Sequence, residues 1–337
     1  MTLLVTGGTG FLGATLVRRL LQAGDGPVRV LLRPGSDARL LDAACAGLSA
    51  DRLARLERHP GTLDSVADAM AALQGVVLVH HLASAMRGSP ADVFRGTLAT
   101  SRHLLDAMLA MPEPPRVVLA GSFGVYGTAA LPPGAQVDET TPLETSPARR
   151  DAYSHAKLEQ ERMFRDAQLR HGLGLVVLRP GVIHGPTRRA PSNRVGMGPK
   201  ARLFFLLGGD NPLPLTHVEN CAEAFRFAAA HGRFDGDAYD VVDEAPITCR
   251  DYLRRYRRVG GGFLVLPVPR PLLMLASSLN ERLHRLSRGR LPLLFTRYRS
   301  LSTWKPQRYS GERLRALGFR PPLDPAQALA DTFTALP

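Results

Sequence analysis

Tyr153 and Lys157, in the run Tyr153-Ser154-His155-Ala156-Lys157, are the residues whose types and spacing could do acid–base chemistry. The neighbours Ala148, Ala152, Ala156, Leu158, Glu159 and Glu161 favour a helix, and a spacing of four puts both side chains on one face, one turn apart. A free phenol, with an ordinary pKa of about 10, is a poor base at neutral pH, and an adjacent cation favours its phenolate. Lysine supplies that charge as a compact ammonium rather than a planar fork. Only three lysines occur (Lys157, Lys200 and Lys305) among 43 basic residues, so each stands out in a chain that otherwise uses arginine. The spacing alone arises often by chance, but a third group joins it. Val117–Leu119 reads as a strand running into Ala120-Gly121-Ser122-Phe123-Gly124-Val125-Tyr126-Gly127. Ser122 then falls near the carboxyl end of a central strand, where open α/β sheets bind ligands. A hydroxyl there can hydrogen-bond the substrate oxygen that exchanges its proton with Tyr153.

The second constellation is Leu3-Leu4-Val5-Thr6-Gly7-Gly8-Thr9-Gly10-Phe11-Leu12-Gly13, a strand, a glycine turn and a helix start in direct succession. Gly7 permits the turn, Gly10 lets the backbone approach a pyrophosphate, and Gly13 allows close helix–strand packing. The helix start offers free N–H groups and partial positive charge to that anion. The rival phosphate loop needs a lysine, which Gly13-Ala14-Thr15 lacks. The next strand, Val28–Leu32, ends at Arg33-Pro34-Gly35-Ser36. An acidic residue here would hold a ribose 2′-hydroxyl, whereas an arginine accommodates a 2′-phosphate, so Arg33 and Ser36 favour NADP over NAD.

The elements around these residues predict the fold. Leu3–Val5, Val28–Leu32, Val76–Val79, Val117–Leu119 and Leu175–Leu178 are apolar and β-rich, and helix-length segments such as Ala14–Ala23, Ser65–Leu73, Ala91–Met111 and Ala148–His171 separate them. That alternation predicts an α/β, doubly wound parallel sheet of Rossmann type. A strand–helix pair at Leu213–His231 and a short strand at Tyr239–Val242 follow. Residues 1–180, rejoined by 213–242, are expected to form the dinucleotide-binding domain. Residues 181–212 and 243–337 are expected to form a smaller substrate-binding cap, with Pro186–Pro199 as a loop over the site.

Composition narrows the class. At 45% hydrophobic and 22% charged, the chain of 337 residues is not of disordered type. No apolar run reaches the ~18 residues of a membrane span, and Gly7, Gly8 and Gly10 interrupt the apolar start, so no signal peptide is expected. Three scattered cysteines argue against a disulfide framework and fit a reducing cytoplasm. Between Arg250 and Arg320 there are seventeen basic residues against three acidic ones, which carries the whole formal excess of +13. Arginines 254, 255, 257 and 258 beside Tyr252, Leu253 and Tyr256, and arginines 282, 285, 288 and 290 after Leu272–Leu279, could pair basic and apolar faces at an anionic membrane surface. A solvated basic face is the plainer reading. No nucleic-acid module accompanies the charge.

Together these motifs resemble the extended branch of the short-chain dehydrogenase/reductase family, which includes nucleotide-sugar epimerases, dihydroflavonol reductases and 3β-hydroxysteroid dehydrogenases. Further matches are His81-Leu82-Ala83-Ser84, Arg179-Pro180-Gly181-Val182-Ile183-His184-Gly185-Pro186, Pro214-Leu215-Thr216-His217-Val218-Glu219-Asn220 and Leu317-Gly318-Phe319-Arg320-Pro321, in the family's order. The resemblance implies that Ser122, Tyr153 and Lys157 are a catalytic triad, with Lys157 also holding the cofactor ribose. It implies that Phe11 and Leu12 join the glycines at the cofactor, that Leu82, Ala83 and Ser84 line its ribose and nicotinamide, and that Pro180, Gly181 and Val182 pack near the nicotinamide. Ser84, Ser122, Tyr126 and His184 are the expected substrate contacts. The family's adenine-facing aspartate is replaced in Gly61-Thr62-Leu63, where Thr62 and Leu63 are still expected at the cofactor. Thr97 stands where a helical asparagine is often seen, which puts a four-residue catalytic network in doubt.

The resemblance leaves three readings of function: an oxidoreductase, a nucleotide-sugar epimerase, and a non-catalytic NADP-binding regulator. The intact triad speaks against the regulator. Phe123-Gly124 after Ser122 lacks the acid pair of sugar dehydratases, and Val182 replaces an asparagine that anchors nucleotide sugars. With the apolar stretches Phe263–Leu266 and Leu272–Leu279, this favours an oxidoreductase acting on a small, less polar, lipid-like or steroid-like molecule. His81, His155 and His184 lack metal-ligand spacing, so no metal is expected. A homodimer and a peripheral membrane contact stay open.

Overall fold

A computed structural model describes residues 2–86, 88–200, 202–244, 247–293 and 295–334. Among them, seven parallel strands form one sheet: β1 (Thr2–Thr6), β2 (Val28–Leu32), β3 (Leu56–Pro60), β4 (Val76–His81), β5 (Arg116–Ala120), β6 (Leu175–Pro180) and β7 (Asp235–Val241). Their order, β3-β2-β1-β4-β5-β6-β7, reverses direction between β1 and β4. That switch point opens a crevice at the carboxyl ends of the strands. β3 escapes apolar pattern reading because Leu56-Glu57-Arg58-His59-Pro60 is a polar edge strand paired to β2 alone.

Both faces of the sheet are covered, which is why its central strands β1, β4, β5 and β6 are largely apolar. Leu3 and Val5 join one core with Val17 and Leu20 of α1 (Phe11–Ala23) and Phe225 of the later helix Val218–His231. Leu4 and Val79 point the other way, toward α2 (Val66–Leu73), α3 (Thr100–Leu109) and α4 (Ala152–His171). Asp151 starts α4 by accepting the Ser154 N–H at 2.9 Å, and Gly172, at φ 68°, ends it. The turn before α3, Arg95–Ala99, is a π-helix, an irregularity that often marks functional sites.

A separate apolar cluster forms the C-terminal part of the molecule, with Val195, Phe204, Leu213, Tyr252, Leu253 and Phe263 at its centre. Val182–His184 pairs with Leu215–His217 where this part meets the sheet. Within Pro186–Pro199, read above as loop, the chain turns into the strand Gly196–Lys200, which pairs with Leu203–Leu206, itself flanked by Leu264–Pro267. The apolar stretches expected to favour a less polar substrate are placed differently. Phe263 is buried in the cluster, whereas Leu272, Leu275 and Leu279 face outward. Tyr252 and Leu253 also turn into the cluster, so the helix Cys249–Val259 has no apolar face left for a membrane.

Candidate active site

The glycine turn is built for close approach. Gly7 sits at φ 73°, and a Cβ there would come within 3.0 Å of the Ala83 nitrogen, while a Cβ on Gly13 would fall on the Gly7 carbonyl. The Gly10 N–H closes the turn on Gly7 O at 3.0 Å. α1 begins with no side-chain cap, so its first-turn N–H groups are left for an anion. These observations fit a dinucleotide. Phe11 packs beside Gly185, where a Cβ would lie 2.9 Å from its ring, and Leu12 lies half against the core.

At the ends of β2 and β3 an open cleft is lined by Arg33, Pro34, Gly35, Ser36, Thr62 and Asp64. Leu63 does not line it. Its side chain is in the core, and its carbonyl meets His103 Nδ1 at 2.8 Å. Beyond β4, Leu82, Ala83 and Ser84 are half-buried, and the Ala83 N–H donates to Thr6 Oγ1 at 3.2 Å. Pro180 is buried at the end of β6, the Gly181 N–H bonds Val241 O at 3.0 Å, and Val182 is half-buried toward the C-terminal cluster.

Ser122 follows β5 in extended conformation, and its Oγ accepts the Gly124 N–H at 3.0 Å. A Cβ on Gly124 would lie 2.8 Å from Ser154 Oγ and 3.3 Å from Ser122 Oγ, so the start of α4 abuts this turn. Burial raises the Tyr153 phenol above its ordinary pKa, and the Ser122 hydroxyl pulls it back down. Asp151 raises it as well, and the cation that lowers it is Arg188, in the loop after Gly185. Lys157 is directed elsewhere. Its Nζ donates to Ala120 O and to Gln160 Oε1, the latter at 2.7 Å. Burial lowers the Lys157 ammonium to about 8, against the opposing pull of Glu161. Sequence reasoning missed Arg188, whose only signal was its place in the Pro- and Gly-rich loop.

Gln160 extends the lysine into a buried polar chain. Lys157 can only donate, which fixes Gln160 Oε1 as its acceptor and leaves Gln160 Nε2 to donate to His81 Nε2 at 3.2 Å and Ser101 Oγ at 2.7 Å. His81 Nδ1 then donates to Thr6 Oγ1 at 2.8 Å, beside the glycine turn. In this order Gln160 Nε2 and His81 Nδ1 each meet an acceptor when His81 is neutral, and burial holds His81 down at about 3. Thr97, at the position noted for an asparagine, accepts the Ala85 N–H and the Ser101 hydroxyl.

Two expected substrate contacts are corrected. Tyr126 is fully buried, donates its hydroxyl to Asp240 Oδ1 at 2.7 Å and accepts from Arg179 Nη1 at 2.8 Å. Nothing of its polar end is left for a ligand. His184 is buried where the C-terminal part meets the sheet, with Nδ1 at 2.7 Å from Thr332 Oγ1 and Nε2 at 3.6 Å from the Asp243 carboxylate. Arg179 also pairs with Glu161, which accepts Arg165 Nε at 2.9 Å. Burial alone would raise Glu161, but the two guanidiniums hold its carboxyl below the ordinary range.

A parallel sheet in this order, with an open glycine cradle at its switch point, is the arrangement of a dinucleotide-binding enzyme of the extended short-chain dehydrogenase/reductase type. Residues 3–241 match the NAD dependent epimerase/dehydratase family, and the chain belongs to that family. It is 33% identical over 196 residues to the sterol demethylase protein B of Methylococcus capsulatus, an alignment covering 57% of this chain and 54% of that protein. The chain thus spans about half the length of that relative. It is 29% identical to the 4-hydroxy-2-methyl-3-oxo-4-farnesyl-3,4-dihydroquinoline-1-oxide ketoreductase of Stigmatella aurantiaca, covering 75% of this chain and 71% of that one. In fold it superposes on the UDP-glucose 4-epimerase of Thermus thermophilus, solved with NAD, at a TM-score of 0.70 and 20% identity, covering 99% and 98% of the two chains.

Proposed function

We propose that this chain is an NADP-preferring oxidoreductase acting on a carbonyl or hydroxyl of a small, weakly polar molecule. The observation that carries the reading is the meeting of Ser122 and Tyr153 at the carboxyl end of β5, with Lys157 one turn along α4 and the glycine cradle adjacent. When bound, the nicotinamide supplies or accepts the hydride. Tyr153 gives its phenolic proton to the substrate oxygen in the reductive direction, and the Ser122 hydroxyl holds that same oxygen. The Lys157 ammonium, oriented by Gln160, would hold a ribose hydroxyl, while the cation that favours the Tyr153 phenolate is Arg188. Gly7, Gly10, Gly13 and the start of α1 would hold the pyrophosphate, with Ala83, Ser84 and Val182 nearer the nicotinamide. The apolar Val182 and the likeness to a sterol demethylase protein and a farnesyl-quinoline ketoreductase support a lipid-like substrate.

An NADPH-consumption screen over ketones, aldehydes and keto-lipids, run beside a UDP-sugar epimerisation assay, tests this. Steady cofactor consumption on an apolar carbonyl is expected. Inversion of a nucleotide sugar without net consumption would overturn the reading.

Arg33 lines the cleft together with Ser36 and Asp64, and its guanidinium is the cation there that can meet a 2′-phosphate. Arg33→Ala is expected to weaken NADPH roughly tenfold, the loss of about one charge-assisted contact, and to leave NADH nearly unchanged. Fluorescence titration of both cofactors checks this, and an unchanged NADPH/NADH ratio contradicts it.

Gln160→Met should act through Lys157. Losing its acceptor disfavours the charged ammonium and lowers the lysine pKa further. Activity that needs the ammonium is lost as pH rises through about 8 in the native enzyme. In the variant that alkaline limb of kcat/KM moves to lower pH, whereas a purely structural role would lower activity equally at every pH.

A further inference from the structure

The helix α5 (Arg270–Leu286) buries one face and leaves a second apolar face bare. Leu273 and Ser277 are buried, and Ser277 Oγ meets Ser300 Oγ at 2.8 Å on the neighbouring helix Arg297–Trp304. On the far side, Leu272, Leu275, Leu279, Leu283 and Leu286 are between 41% and 80% exposed. Spacings of three and four place these five in one row along the helix. A globular helix normally turns charged residues this way, and an unbroken leucine row is the exception that marks an interaction surface. Just upstream, Met197, Phe205 and Leu266 lie in register across the small three-stranded sheet and are exposed as well.

What flanks the row identifies its partner. Arg282 and Arg285 stand beside it, and Arg288 and Arg290 follow the end of the helix, all four exposed. Among the described residues none of the four forms an ion pair, although Arg250, Arg254 and Arg313 elsewhere in the C-terminal half pair with Asp210, Asp251 and Asp237. We propose that this leucine row, with its flanking arginines, seats the protein on an anionic lipid bilayer. An apolar stripe bordered by unpaired arginines lets leucines enter the acyl boundary while guanidiniums meet lipid phosphates. A second copy of this chain suits the face poorly, because a two-fold contact would bring the same unpaired arginines together. No described helix is long and apolar enough to cross a membrane, so the contact is a surface one. The inference needs no assumption about the reaction.

The test is co-sedimentation with vesicles of phosphatidylcholine and with vesicles of an equal phosphatidylcholine–phosphatidylglycerol mixture, at low and moderate salt. The full chain is expected to bind the anionic vesicles and to be weakened by salt. Changing Leu275, Leu279 and Leu286 to Gln should cut the bound fraction about tenfold or more. Changing Arg282, Arg285, Arg288 and Arg290 to Gln should remove the preference for anionic lipid. Because all seven side chains are exposed, unchanged thermal unfolding in both variants separates lost docking from lost folding. Equal and negligible binding to both vesicle types by the native chain overturns the proposal. So does a leucine variant that binds as the native chain does, or one whose only change is dissociation of a dimer in sedimentation velocity.

Discussion

Tyr153→Phe is expected to lower kcat by about 10²–10⁴ on a confirmed substrate, the usual worth of a positioned general acid–base. The ring and its packing are kept, so only the proton is lost. Burial raises the Tyr153 pKa and Ser122 opposes the rise, which leaves the phenol protonated and ready to donate at neutral pH in the reductive direction. In the oxidative direction the same phenol must lose its proton, and the rate should climb with pH until Lys157 discharges near 8. Cofactor affinity should barely move, because the glycine cradle is untouched. A Tyr153→Phe enzyme with near-native turnover would refute the assignment.

Glu161→Ala is expected to cost about 3–5 kcal/mol of folding stability, because it leaves the Arg179 guanidinium buried beside Tyr126 without its carboxylate. That is a large share of the ~5–15 kcal/mol that holds a typical domain together. The same pair ties α4 to β6, so the helix carrying Tyr153 and Lys157 should loosen with it. The pH dependence has a definite sign. Glu161 is held below its ordinary pKa in the folded chain, so its stabilisation is present above about 4.5 and is lost as pH falls through the folded value. Urea unfolding of both proteins at pH 7 checks the magnitude, and a loss under about 1 kcal/mol would show the pair to be dispensable.

What could be read from the sequence was local. The glycine turn of residues 7–13 declares itself because strand, turn and helix start are contiguous, and Tyr153 with Lys157 because four residues make one helical turn. β3 was hidden by its polar edge position. Tyr126 and His184 were misplaced for another reason. Adjacency to the site's motifs says nothing about which way a side chain turns, and both turn inward to partners far along the chain, Asp240 and Thr332. The chain from Lys157 through Gln160 to His81 and Thr6 was equally illegible, since it joins α4 to two strands across long separations. The leucines of α5 carry two readings in the sequence, support for a less polar substrate and an apolar face beside arginines at a membrane surface. Their exposure favours the second.

The claim that Tyr153 and its neighbours support net hydride transfer is tested most directly by following the hydride. NADPH carrying deuterium at the transferable C4 position would be incubated with the enzyme and a carbonyl substrate found in the screen, and the product analysed by mass spectrometry. One deuterium per product alcohol, matched by one oxidised cofactor released, is the predicted result. Substrate conversion with no deuterium in the product and no cofactor oxidised would contradict it.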